Sequence, residues 1–71
     1  MQYMVVIEAG ETSYGAYVPD LPGCVAVGET REEALTLIKE AVEFHLEDLR
    51  ARGELIPQPS SSSELVSVVA A

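Results

Sequence analysis

His45 and Cys24 are the only imidazole and the only thiol in this chain of 71 residues. A soft-metal site needs several such ligands converging, and these two stand alone in the sequence. Nucleophilic use of Cys24 would require an activating base or a lowered pKa. No local Cys–His signature supplies one, so a small buried residue is the favoured reading. His45 sits within an apolar stripe at helical spacing. It reads as a histidine at the edge of a core, with general-base or partner-binding use as the alternative, because no second catalytic group stands at local spacing. Asp20 and Glu29 flank a short apolar run, and Glu32 and Glu33 follow it. Clustered carboxylates can hold Mg²⁺, but helix capping and solvation account for Glu29, Glu32 and Glu33 more simply. Residues 60–63 are serines without a G-x-S-x-G context, and no glycine-rich loop is placed to cradle phosphate. We therefore expect no catalytic, cofactor or metal site, and no enzyme.

Charge points toward a protein partner. Twelve Asp and Glu oppose four Lys and Arg, a formal charge of −8. All four cations (Arg31, Lys39, Arg50, Arg52) fall in one middle segment. Affinity for nucleic-acid backbones comes from Lys and Arg displacing counterions, so direct binding to phosphate is disfavoured. A basic protein is favoured, since an opposite field speeds encounter. A negative surface that serves solubility alone is the plainer alternative.

The elements that must position these groups are legible from periodicity. Residues 3–7 form a β-branched and aromatic run, read as a strand with both faces buried because odd and even positions are apolar alike. A turn-rich break over 9–13 precedes a second strand at 14–18, paired with the first as a hairpin and ended by Pro19. Leu21-Pro22-Gly23-Cys24 carries Pro and Gly at the centre of a type II turn. A third strand follows at 24–27.

Thr30 to Glu33 is a capping box, and a helix is predicted over about 31–52, stopped at Gly53. Its apolar stripe is Ala34, Leu35, Ile38, Ala41, Val42, His45 and Leu49, with Leu37 and Phe44 beside it. Residues 54–63 read as a connector broken by Pro57 and Pro59. A final strand is expected over about 64–70. The fold class is α+β, with order β-β-β-α-β in a single domain spanning 1–71: an antiparallel sheet and one long helix on one face.

The pattern resembles the HicB-like antitoxin family of bacterial toxin–antitoxin systems. The residues that carry it are Val5-Val6-Ile7-Glu8, then the run from Tyr14 through Pro19-Asp20-Leu21-Pro22-Gly23-Cys24. Gly28-Glu29-Thr30-Arg31-Glu32-Glu33-Ala34 and Leu55-Ile56-Pro57-Gln58-Pro59-Ser60 complete it. P-D-L-P-G-C followed by G-E-T-x-E-E-A is specific as an ordered pair. The resemblance implies a degenerate RNase H-like fold without established nuclease activity. It also implies neutralisation of a small basic, HicA-like, RNA-cleaving toxin. The alternatives are an orphan oligomeric structural domain and a relic metal-dependent nuclease using Asp20 and Glu29.

Many members of the family continue into a DNA-binding domain that this sequence does not show, so specific DNA binding by the chain itself is not expected. No signal peptide or membrane span is visible, which makes the cytoplasm the expected compartment. Asp20, Leu21, Glu29 and Glu32 are the candidate partner-binding residues. Self-association is expected as well. A core this small supplies only about 3–5 kcal/mol of net stability, and one helix can bury only one face of a sheet. Tyr3, Val5, Leu37 and Phe44 are the candidate residues of a homodimer or homotetramer interface.

Overall fold

The chain runs β1 (Val6–Ala9), β2 (Tyr14–Tyr17), β3 (Val25–Gly28) and α1 (Arg31–Ala51). The structure, a computed structural model, describes residues 1–70. The three strands form one antiparallel sheet in the order β1-β2-β3. Val6 lies opposite Tyr17, and Tyr17 opposite Val25; Ile7, Ala16 and Ala26 form the adjacent row. Because alternate residues point to opposite faces, the Ile7–Ala16–Ala26 row and its neighbours meet α1. The Val6–Tyr17–Val25 row points away from it. Ala16, Val18, Leu21, Cys24, Ala34 and Ile38 make the buried core, with Tyr3, Val5, Ile7, Tyr14, Ala26, Ala41, Val42 and Leu46 packed around it.

The first strand starts later than its apolar run suggests. β1 covers Val6–Ala9, not residues 3–7. The cause lies in β2. Val18 faces β3, its N–H donating to the Cys24 carbonyl at 3.2 Å, and Pro19, the next residue to face β1, has no N–H to give. The ladder with β1 therefore stops at the Val6–Tyr17 pair. Nor are both faces of β1 buried: Val6 and Ile7 are each half-buried.

The loop from β2 to β3 is built as the sequence suggests. Cys24 N–H donates to the Leu21 carbonyl at 3.1 Å, and Gly23 takes φ 85°, the positive angle that a type II turn demands at its second central position.

Both ends of α1 follow local rules. Glu33 N–H donates to Thr30 Oγ1 at 3.0 Å. The Glu33 carboxylate reaches back to the Glu29 N–H at 3.1 Å, one residue earlier than in a standard capping box. At the far end Glu54 N–H donates to the Leu49 carbonyl at 2.9 Å and Gly53 N–H to Arg50 at 3.0 Å. With Gly53 at φ 69°, this is a Schellman stop.

The buried stripe is shifted slightly from the expected one. Leu46 packs on the core, while Leu35 is 44% exposed. The fourth strand expected over 64–70 is not formed: residues 54–70 contain no strand. A strand needs a neighbour's N–H and C=O groups, and residues 64–70, exposed throughout, pair with neither edge of the sheet. No helix among the described residues is long and apolar enough to cross a membrane.

Candidate functional site

Asp20 lies in the tight loop between β2 and β3, and that loop fixes its carboxylate at the end of the sheet. Its two oxygens accept four hydrogen bonds. Ser60 N–H and Ser61 N–H reach Oδ2 at 3.0 Å each, while the Ser60 and Ser61 hydroxyls reach Oδ1 at 3.1 and 2.8 Å. These bonds favour the charged form, the Ser61 N–H most, and hold the Asp20 pKa at about 2 against an ordinary 3.8. Nearby, the Tyr3 hydroxyl donates to the Pro57 carbonyl. Two contacts thus tie the connector across the end of the sheet, at Tyr3 and at Asp20. Asp20 is a structural clasp here, and its oxygens are engaged.

Among the described residues the sheet and helix leave three apolar surfaces uncovered. The sheet face away from α1 carries Met4, Val6, Tyr17, Val25 and Val27, with Val25 and Val27 64% and 65% exposed. The flank of α1 carries Leu37 and Phe44, the latter 75% exposed. Along the same side run Glu33, Glu40 and Glu47, all exposed. Their seven-residue spacing places them nearly along one line of the helix. The third surface is a groove of about 490 Å³ between Met1, Tyr3 and Val5 on one wall and Leu35, Ile38, Val42 and Leu46 on the other, with Lys39 and Glu43 at its rim. It opens beside β1 because α1 lies chiefly over β3 and β2.

The sequence-predicted residues do not gather into one patch. Leu21 has no exposed surface; it is a core residue, and its side chain has nothing to offer a partner. Glu29 and Glu32 are exposed at the start of α1, at the opposite end of β3 from Asp20. A metal shared by Asp20 and Glu29 therefore has no geometric basis. Among the described residues no group of three or more His, Cys, Asp or Glu converges. Tyr3 and Val5 face α1 and line the groove, whereas Leu37 and Phe44 sit on the outer flank, so the four expected interface residues mark two surfaces.

Cys24 is buried, and that burial pushes its thiol pKa up, which suits a core residue and not a nucleophile. His45 is half-buried and lines a cavity of about 200 Å³ with Cys24, Phe44 and Asp48. An open sheet face is expected from the sequence, since one helix covers only one side, but Tyr17, Val25 and Val27 are not among its expected residues. Their signal was a shared parity, readable only once the register is known. Leu46 was missed although it stands four residues after Val42, within the helical period.

These features define a small acidic α+β domain with exposed apolar surfaces and no assembled catalytic group among the described residues. Residues 3–69 match the model of the HicB-like antitoxin of bacterial toxin–antitoxin systems, and the chain belongs to that family. It is 42% identical over 62 residues to a UPF0150 protein of Thermoplasma acidophilum, covering 86% of this chain and 90% of the relative. It is 56% identical over 46 residues to a UPF0150 protein of Helicobacter pylori, covering 65% of this chain and 64% of that protein. It is 38% identical over 68 residues to a Photorhabdus laumondii protein named antitoxin HicB 2. That match spans 90% of this chain but 46% of the relative.

Proposed function

We propose that the chain is the neutralising member of a toxin–antitoxin pair, and that its target is a small basic, RNA-cleaving toxin of the HicA-like kind. Family membership supports the antitoxin role. The observation that carries the target's chemistry is the flank of α1, where exposed Leu37 and Phe44 stand beside the Glu33, Glu40 and Glu47 line. An apolar pair edged by carboxylates suits a cationic surface. The apolar side chains provide the desolvated contact, and the carboxylates steer approach. A protein that cleaves RNA must hold phosphates with Lys and Arg, and a line of carboxylates competes for those same groups. Exposed Glu29 and Glu32 extend the negative surface to the start of the helix.

The test is co-expression with any short basic reading frame beside this gene, followed by an RNA-cleavage assay. The expected result is a co-purifying complex in which cleavage is suppressed. A purified basic neighbour that cleaves RNA equally with and without this chain would overturn the reading.

A further inference from the structure

We propose that residues 65–69 form the missing fourth strand on a second copy of this chain, entering the groove beside the partner's β1, with the exchange made reciprocally by a two-fold pair. Leu65-Val66-Ser67-Val68-Val69 is rich in the β-branched residues that favour strands. Yet Leu65 is 99% and Val69 100% exposed, so the segment is packed on nothing in its own chain. An extended apolar segment and an open apolar groove in one molecule are complementary surfaces, and each lacks an occupant.

The clasp sets the direction. The connector passes Tyr3, at the start of the β1 line, and then Asp20, beyond the end of the central strand β2. It therefore travels from the β1 edge toward the middle of the sheet, away from its own groove. The longest dimension of the molecule is 51 Å, while a helix of 21 residues is only about 31 Å long at 1.5 Å per residue. Held at Ser61, the segment is presented outward.

The receiving edge is chemically ready. β1 pairs with β2 on one side only, so its outer N–H and C=O groups are free for a further strand. A strand added there would place alternate side chains on its two faces. One set, Leu65 and Val69, would enter the groove against Tyr3, Val5, Leu35 and Val42. The other would extend the open sheet face beside Met4 and Val6. That arrangement accounts for apolar residues at both parities of the segment. Exchange of an identical element closes under two-fold symmetry and adds apolar burial to a domain whose own core is small.

The test is sedimentation equilibrium of the full chain, with paired variants. The native chain should be a dimer at micromolar concentration. The double substitution Leu65→Asp with Val69→Asp should weaken dimerisation by roughly 100-fold or more, because it would bury unpaired charge. Helical circular dichroism should be unchanged, since neither side chain touches its own domain. Leu35→Asp, on the groove wall, should also give monomers. Mixing it with the double variant should restore a heterodimer in which one intact segment meets one intact groove. A native monomer would overturn the proposal, including one with the segment folded back on itself. So would a dimer indifferent to the Leu65 and Val69 substitutions, or a failure of the mixture to associate. Dimerisation does not depend on toxin capture, so the outcome for one leaves the other standing.

Discussion

Asp20 illustrates how one side chain can order a distant stretch of chain. Its carboxylate binds backbone and hydroxyl groups forty residues away, and its pKa is depressed to about 2. A depressed acid stabilises the state that binds its anion above the unfolded pKa and ceases to do so as pH falls through the folded value. The clasp should be complete above about pH 4 and should open as pH approaches 2, seen as loss of amide-exchange protection at Ser60 and Ser61. Asp20→Asn should release the same amides at neutral pH while the helix persists.

Gly28 is a second residue whose identity has a single geometric cause. A Cβ there would lie 2.6 Å from the Ala34 nitrogen and 3.0 Å from the Glu33 carbonyl carbon, both backbone atoms that cannot yield without moving α1. Gly28→Ala should cost about 1–3 kcal/mol by overpacking, a large share of the stability of so small a domain, measurable as a lowered urea midpoint.

At the scale of elements, α1 carries the fold, and its stability divides into ends and face. Thr30 satisfies a helix N–H that water would otherwise have to serve. Thr30→Ala should lose about 1 kcal/mol without altering the sheet. Ile38 has no exposed surface and sits at the centre of the core. Ile38→Ala should lose about 2–5 kcal/mol through lost burial and the remaining cavity, enough to leave much of the population unfolded. The Arg52 ion pairs with Asp48 and Glu54 are at least half exposed on both sides. Exposed pairs contribute little, so Arg52→Ala should leave the midpoint nearly unchanged. Thermal and urea unfolding of the three variants would separate these contributions.

At the scale of the whole molecule, excess negative charge and uncovered apolar area favour association. Because the carboxylates beside Phe44 are exposed, the association rate with the proposed basic toxin should fall steeply as salt rises, while dissociation changes little. Glu40→Lys combined with Glu47→Lys should slow association at low salt and flatten that dependence. Phe44→Glu should instead speed dissociation, as it places a charge where the flank offers an aromatic anchor. Phe44 contributes little to its own core, so folding should be spared. Stopped-flow mixing with the purified toxin would distinguish these effects.

The amino-acid sequence by itself determined the helix from its cap at Thr30 to its stop at Gly53, the Pro22–Gly23 turn and the acidic balance. Each follows from interactions within a few residues, so local chemistry sufficed to read it. The order of the first three strands was legible for the same reason, since short turns leave antiparallel neighbours little choice. Tertiary structure decided that β1 begins at Val6, because the missing N–H of Pro19 limits the ladder there only once the register sets Val6 opposite Tyr17. It also decided that Leu21 is core and that Asp20 is a clasp, since both depend on segments far apart in sequence meeting at one end of the sheet. The apolar run at 65–69 shows the same division. Its composition favours a strand, but a strand forms only where another backbone offers an edge, and within a single chain the connector carries it past the one beside the groove.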